Sequence, residues 1–459
     1  MYTIDFKKPM HVHFIGIGGI SMSGLAEILL EENFQISGSD MKASAMTDKL
    51  ASLGASIMIG QKASNITDDI DLVVYTAAIH PDNPEFCAVK EHGIPMLTRA
   101  QLLGQMMDNY KNPIAVSGTH GKTTTTSMLT HVLLAAKKDP TISVGGILDA
   151  IGGNIRVGKS DILVTEACEY TNSYHSFNPV ISIILNVEED HLDFFSGIEE
   201  IRESFRTFAR KLPKHGLLVV NGDMDCTDFI QEGVAADIVT FGITGKNLTY
   251  SAANISYDEQ GNGSYDLVEN GQITDHINLH VNGIHNIMNS LSVIAVARRL
   301  GIDSEDIKKG LLSFTGTKRR FEYKGERNGF TIIDDYAHHP TEIAATLNAA
   351  KKYPHNEVWT VFQPHTYTRT MAFLDEFAEA LSISDHVIVT DIYAAREKDL
   401  GQVHAKDIVE RMKKYDVDVT YISSFDDIEK FILKNLKNND LLITMGAGNV
   451  VDIGENLLK

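Results

Sequence analysis

Residues 117–126 read SGTHGKTTTT, directly after the apolar run Pro113–Val116 and at the head of an apolar-periodic segment. An apolar run, then small residues, then a 3.6-residue period reads as strand, tight turn and helix. Glycines 118 and 121 let the backbone N–H groups of the turn converge on one point, where the helix dipole also favours anions. Lys122 is then placed to reach the outer phosphates of a nucleotide, and the Thr123 hydroxyl to ligate Mg²⁺. Val116 stands where the usual phosphate-loop pattern has its first glycine. Without a ligand the stretch is a strand-to-helix turn of small residues; its Gly-Lys-Thr core favours ATP or GTP. Gly118, Thr119, His120, Gly121, Lys122, Thr123 and Thr124 form the expected phosphate set.

Towards the N-terminus, His11–Ile15 reads as a strand, Gly16, Gly18 and Gly19 as a turn, and Ile20–Glu32 as a helix, followed by a strand at Phe34–Ile36. GIGGIS has the close-approach glycines of a dinucleotide-type turn, with Ser21 in place of the third glycine. Ser39 and Asp40 end the second strand, where an acid can meet a ribose hydroxyl. A tight turn with no ligand would look the same. Strands at Leu72–Tyr75 and Ile94–Leu97 continue the alternation, and Lys111-Asn112-Pro113 marks a linker.

Towards the C-terminus, the apolar runs Asp161–Glu166 and Val180–Leu185 read as buried strands. From Asp237 to Val281 the pattern turns strand-rich, with turns at Gly261-Asn262-Gly263 and Asn270-Gly271, which predicts a small antiparallel addition. A helix is expected over Ile284–Leu300, and strands at Thr331–Ile333, Val358–Phe362, His386–Thr390 and Leu441–Thr444. The expected fold is α/β in three domains: 1–111 Rossmann-like, 112–318 of phosphate-loop ATPase type with the antiparallel addition, and 319–459 Rossmann-like again.

Composition sets the outer limits. A chain of 459 residues exceeds one hydrophobic core, and 43% hydrophobic with 22% charged residues is ordinary for a globular protein. A net charge of -20 argues against a nucleic-acid or anionic-membrane partner. The three cysteines, Cys87, Cys168 and Cys226, have no metal-type spacing and point to reduced thiols and a cytoplasmic location. The run Val12–Leu30 resembles a signal peptide, but its glycines, serines and Glu27 mark it as folded structure. No segment is long and apolar enough to span a membrane.

Strand ends are where ligands gather in open α/β sheets, so polar residues there are the candidates for chemistry. Glu166 ends one strand as a Mg²⁺-binding acid would, and His191 lies in the acidic stretch Glu188–Asp193 that follows another. His285 and Asn289 share a helix face as an adenine-edge reader requires, although capping by Asn286 or plain polar packing would give the same spacing. Lys318-Arg319-Arg320 is a basic cluster suited to clamping phosphate. Asp335, Tyr336 and His338 follow a strand and precede Pro340, and the adjacent pair His338-His339 projects in different directions, which disfavours zinc. Arg369, after the strand-end stretch Gln363-Pro364-His365, is suited to holding a carboxylate.

Taken in order, FIGIGGISMSGLA, SGTHGKTTT, EACEY, NVEEDHLD, GIHNIMN, KRRFE, DDYAHHPTE, FQPHTYTR and MGAGN resemble the Mur ligases from end to end. The resemblance implies ATP-driven amide synthesis in peptidoglycan precursor assembly, with UDP-N-acetylmuramate and L-alanine as substrates and an acyl phosphate between them. It implies a first domain holding the UDP-sugar around Gly16, Gly18, Gly19, Ser39 and Asp40. It implies Mg²⁺ on Thr123, Glu166 and His191, and ATP against the phosphate set with His285, Asn289, Arg320 and Asp335. Tyr336, His338 and Arg369 would line the amino-acid pocket, with Lys122, His191, His338 and Arg369 carrying the chemistry in a monomer or homodimer.

The chain also departs from the family pattern. Arg202–Arg210 holds no lysine for the carbamoylated metal bridge of several sister ligases. Thr366 stands where many alanine-adding members have arginine, and Gln61 where many have histidine. The ligase that attaches an intact peptide to the same sugar is the nearest rival, and GIGGISMSG and DDYAHHPTE fit the alanine-adding members better. A nicotinamide oxidoreductase would use the N-terminal glycine turn but leave residues 117–126 unexplained. A non-catalytic nucleotide sensor would bind ATP without sugar-dependent turnover.

Overall fold

The structure, a computed structural model, describes residues 3–76, 79–395 and 397–459. The chain forms two compact units, Met1–Val187 with Arg202–Val239, and Glu188–Ile201 with Thr240–Lys459.

In the first unit, five parallel strands lie in the order Ser56–Ile59, Gln35–Asp40, His11–Ile15, Leu72–Tyr75, Met96–Thr98. His11–Ile15 is buried along its whole length, and its two neighbours diverge in opposite directions along the sheet. The crevice at such a switch point lies at the carboxyl end of the strand, where Gly16–Gly19 sit. The second strand covers Gln35–Asp40 and not Phe34–Ile36, so it runs through Ser37, Gly38 and Ser39.

The same unit holds a second run of strands in the order Leu217–Asn221, Ile181–Ile184, Asn112–Ser117, Ile162–Ala167, Thr141–Leu148, Gly153–Arg156. All pairs are parallel except the last. The central members are the apolar runs read from the sequence, as strands covered on both faces require. Ser117 pairs with Ile184 on one side and Ala167 on the other. That register brings the segments after both neighbours to the mouth of the phosphate loop.

Helix Arg99–Met107 packs so closely on Ser176 that a Cβ on Gly104 would stand 1.8 Å from the Ser176 carbonyl oxygen. A backbone contact of that kind cannot yield by a rotamer change. We expect Gly104→Ala to destabilise the unit by about 3 kcal/mol. Gly153→Ala, where nothing lies within 4 Å, is expected to stay within about 0.5 kcal/mol. Thermal unfolding of the two variants side by side checks this, and equal midpoints would refute it.

In the second unit, Tyr250–Tyr257, Asn262–Glu269 and Gln272–Asn282 form an antiparallel meander. Asn270 and Gly271, with φ of 50 and 79, supply the two left-handed residues of its second turn. The expected addition is not wholly antiparallel, since Phe241 and Gly242 pair in parallel with Tyr250 and Ser251. Six further strands lie in the order Glu322–Arg327, Phe330–Asp335, Leu441–Met445, Val358–Phe362, His386–Val389, Asp418–Tyr421. Only the first pair is antiparallel. Ile333, Phe362 and Val389 pack on one face of this sheet, and Ile332, Val361 and Ile388 on the other. No helix among the described residues is long and apolar enough to cross a membrane.

Candidate active site

In the first unit, Gly118 and Gly121 take φ of 141 and 82, values that a side chain would strain. Gly121 starts helix Lys122–Ala135. Asn186, just past the neighbouring strand, pins the loop between them. Its Oδ1 accepts the His120 N–H at 2.7 Å, its Nδ2 donates to the His120 carbonyl at 3.2 Å, and its own carbonyl accepts the Thr119 N–H at 3.2 Å. Lys122 Nζ donates to the Gly118 and Thr119 carbonyls at 2.5 and 3.0 Å, and to Glu169 Oε2 at 3.3 Å. Burial works against the ammonium, yet Glu169, Cys168 and Glu166 more than offset it and hold the Lys122 pKa above its ordinary value. The lysine is therefore held as a cation while only 16% of its side chain is exposed.

Thr123 Oγ1 donates to Glu166 Oε2 at 3.1 Å, and Glu166 Oε1 accepts the Gly145 N–H at 2.6 Å. Two adjacent ligands of an octahedral Mg²⁺, with arms of about 2.0–2.1 Å, stand about 2.9 Å apart. The hydroxyl and carboxylate therefore have the spacing and the hard oxygen chemistry that this ion takes. His191 belongs to the second unit, where it adopts φ of 53 and donates its backbone N–H to Asp190 Oδ1 at 2.7 Å.

At the N-terminal glycine turn, Gly16 has φ of 84 and Gly18 donates to Asp40 Oδ2 at 2.9 Å. The Ser39 carbonyl accepts from both Gly16 and Ile17, and its hydroxyl, fully buried, donates to Glu85 at 2.5 Å. Ser39 thus shapes the turn, a correction to its expected contact with ligand. Gly19 donates to the Gly16 carbonyl at 3.3 Å and lies exposed at the start of helix Ile20–Glu31. A residue the sequence did not single out stands here: Arg99 Nη1 donates to Ser21 Oγ at 3.0 Å, and burial lowers the pKa of its guanidinium.

In the second unit a cavity is lined by Asp190, His338, His365, Thr366, Arg369 and Phe373. Arg369 is paired to the carboxylate of Asp190, through Nη2 at 2.7 Å and Nε at 3.2 Å to the same oxygen. Asp190 is buried, which disfavours its charge, but Arg369 and His191 hold it well below the usual carboxylate range. Arg369 Nη1 also donates to His365 Nδ1 at 3.1 Å. Thr366 takes φ of 66, a strained conformation for a β-branched residue, at the start of the helix that carries Arg369.

His338 and His339 do diverge. His339 Nε2 reaches the Glu189 carbonyl at 2.9 Å, whereas His338 turns to the cavity. Burial depresses the His338 pKa to about 4, against the opposing pull of Glu342. Tyr336 packs edge-on to His338 with ring centres 5.4 Å apart and lies beneath Arg319 and Arg320 at 4.9 and 5.2 Å. Arg320 Nη1 stands 3.5 Å from Glu342 Oε1. Its neighbour Arg319 is structural, donating to Asp334 at 3.0 Å and to the Gly446 carbonyl at 2.7 Å.

Asp335 is turned inward, accepting the Phe321 and Ala337 N–H groups at 2.7 Å each, and burial pushes its pKa up to about 6. That corrects the expectation that its carboxylate faces a cleft. His285 lies half-buried at the start of helix Ile284–Arg299, its pKa lowered to about 4 by burial and by Arg320. Gly283, and not Asn286, is the cap of that helix. Asn289 is buried and donates to Asn286 Oδ1 at 3.2 Å.

Residues 11–111 match the family description "Mur ligase family, catalytic domain", 116–297 "Mur ligase middle domain" and 319–448 "Mur ligase, glutamate ligase domain". The chain belongs to the Mur ligase family. A UDP-N-acetylmuramate–L-alanine ligase of Lachnospira eligens is 58% identical over 459 residues, covering 100% of both chains. One from Agathobacter rectalis is 57% identical with the same coverage. Among solved structures, a UDP-N-acetylmuramate-alanine ligase of Thermotoga maritima superposes with a TM-score of 0.79 at 30% identity over 98% of each chain. A murein peptide ligase of Psychrobacter arcticus reaches 0.71 at 26% identity, also over 98% of each. In this Mur ligase the partners that sequence reading did not assign are Arg99, Glu169, Asn186, Asp190, Glu342 and His365. Five of the six lie in or beside the strand-end stretches already singled out.

Proposed function

We propose that this Mur ligase joins L-alanine to the lactyl carboxylate of UDP-N-acetylmuramate at the expense of ATP. The observation that carries this reading is whole-length identity of 58% to a relative that bears that name. Likeness to the solved alanine ligase also exceeds likeness to the murein peptide ligase, by TM-scores of 0.79 and 0.71. We assign residues 1–111 to the sugar nucleotide, 112–318 to ATP and 319–459 to the amino acid.

The lactyl carboxylate attacks the γ-phosphorus, the bond to the β-bridging oxygen breaks, and ADP leaves. Two anions must approach, so charge has to be neutralised on both. Lys122, held charged by Glu169, supplies part of that. Thr123, Glu166 and His191 would hold Mg²⁺, which when bound screens phosphate charge. The phosphate loop would hold the ATP phosphates, with His285, Asn289 and Arg320 as further ATP contacts and Asp335 shaping the turn that presents Arg320. Gly16, Gly18, Gly19 and Asp40, with Arg99 beside them, would take the sugar nucleotide. Tyr336, His338 and Arg369 would receive alanine, its carboxylate going to the guanidinium.

Phosphate release from ATP tests this, with Mg²⁺ and UDP-N-acetylmuramate present and L-alanine, glycine, L-serine or a tripeptide as acceptor. Release that needs the sugar nucleotide and is fastest with L-alanine is expected. Release indifferent to both would leave the ATPase assignment standing and overturn the substrates.

A further inference from the structure

Two imidazoles, His338 and His365, face the cavity that holds Arg369, with ring centres 5.6 Å apart. A neutral imidazole has one N–H and one lone pair, and its neighbours decide which nitrogen has which. His338 Nδ1 lies 2.9 Å from the Tyr336 carbonyl oxygen, which can only accept. Nδ1 therefore carries the proton, and the lone pair is on Nε2. No protein hydrogen bond reaches Nε2 among the described residues. His365 is the reverse: its Nδ1 accepts a hydrogen bond from Arg369 Nη1 at 3.1 Å, and a guanidinium can only donate. His365 must then carry its own hydrogen on Nε2.

Behind His338 stands a carboxylate. Glu342 Oε2 lies 3.3 Å from Nδ1 and accepts the His338 backbone N–H at 3.1 Å, while Oε1 faces Arg320. Glu342 lies in the first turn of helix Pro340–Ala350 and His338 just before its cap His339, so the entry of the chain into the helix brings the two together. A carboxylate behind the N–H of an imidazole orients it and stabilises the imidazolium formed when the far nitrogen takes a proton. The charged or titratable groups around the ring are Glu342 in the helix that follows it, Tyr336 packed edge-on, Arg369 and His365 across the cavity, and Asp190, His191 and Asp193 on the 188–201 segment.

We propose that His338 Nε2, held by Glu342, accepts the proton of the incoming amine, and that His365 cannot. The inference rests on the amide-forming reading given above. In the step, Nε2 takes one proton from the alanine ammonium, and the freed nitrogen lone pair forms the C–N bond at the acyl-phosphate carbon while the C=O pair moves to oxygen. The oxygen pair then restores the carbonyl, the C–O bond to phosphate breaks, and inorganic phosphate leaves with that bonding pair and with the second proton of the nitrogen. Glu342 touches no substrate and acts as a positioning residue.

The test compares two nucleophiles on the full enzyme, L-alanine and hydroxylamine, with UDP-N-acetylmuramate and ATP. Alanine is an ammonium at neutral pH and needs a base; hydroxylamine is largely unprotonated there and does not. His338→Gln is expected to lower kcat with L-alanine by about 100-fold or more, and with hydroxylamine by less than about 5-fold, since only the base step is lost. His365→Gln is expected to leave the ratio of the two rates unchanged. Glu342→Gln is expected to move the acid limb of the kcat profile for alanine to lower pH, because the carboxylate that favours the imidazolium is gone. Equal losses with both nucleophiles in a His338→Gln protein that still binds the sugar nucleotide by calorimetry would overturn the proposal. If that variant does not fold, an unmoved acid limb in Glu342→Gln overturns it instead. Wild-type enzyme inert with alanine would refute the amide-forming reading itself, a separate failure.

Discussion

Replacing Lys122 by methionine is expected to lower sugar-dependent phosphate release by about 1000-fold or more, while sugar-nucleotide binding stays within about twofold. The first figure follows from Coulomb's law: a unit charge about 4 Å from another, at an effective dielectric near 20, contributes about 4 kcal/mol, or about three powers of ten in rate. The second follows from the separate strand ends on which Lys122 and the N-terminal glycine turn lie. Methionine keeps the buried stem and removes only the charge. It also leaves Glu169, whose side chain is 3% exposed, without its cation at 3.3 Å. That loss costs about 3 kcal/mol of stability by itself. The double variant Lys122→Met with Glu169→Gln removes the stranded charge and is expected to recover most of the lost unfolding temperature but none of the turnover. Recovery of both would mean that Lys122 serves only to offset Glu169, and the phosphate assignment would fall. Calorimetry with UDP-N-acetylmuramate supplies the binding arm.

The strands that carry these residues were legible because strands covered on both faces are near-continuous apolar runs, as Asn112–Ser117 and Ile181–Ile184 are. In sequence the strand Gln35–Asp40 reads as ending at Ile36 only because Ser37, Gly38 and Ser39 have the composition of a turn. They are buried in a strand because folding supplies polar partners: Ser37 Oγ lies 2.8 Å from His11 Nε2 and 2.9 Å from His13 Nδ1. The edge strand Glu322–Arg327 was invisible for another reason, since a charged edge reads as loop while it protects the sheet from further pairing.

At the site, residue types at strand ends showed where chemistry could sit, and Lys122, Thr123 and Glu166 do converge. The carboxylates that set the charge state of each cation could not be read. Glu169, Asp190 and Glu342 are ordinary acids in sequence, and only the fold decides which cation each one meets. Ser39 and Asp335 were misread for the same reason. A polar side chain at a strand end looks ligand-facing until its own hydrogen bonds are counted.

Asp190→Ala is expected to destabilise the second unit by about 3–5 kcal/mol at neutral pH, as is Arg369→Met, because each removes the tightest ion partner of a buried charge. The pair is tight, with Nη2 to Oδ1 at 2.7 Å and side chains only 10% and 9% exposed. The double variant Asp190→Leu with Arg369→Met leaves no charge to strand, so its stability is expected to return to within about 1–2 kcal/mol of the parent. Urea unfolding of the four proteins closes the cycle, and additive losses would show that the two charges do not stabilise one another. The same set separates packing from recognition. Arg369 already holds one carboxylate, and in the proposed reaction it takes a second, that of L-alanine, on the cavity side. The double variant is therefore expected to be folded yet unable to saturate with alanine, its KM raised at least about 100-fold for want of a charged hydrogen bond worth about 3 kcal/mol. A double variant that is stable and keeps the parent KM for alanine would remove Arg369 from the amino-acid pocket and leave the ion pair with a structural role alone.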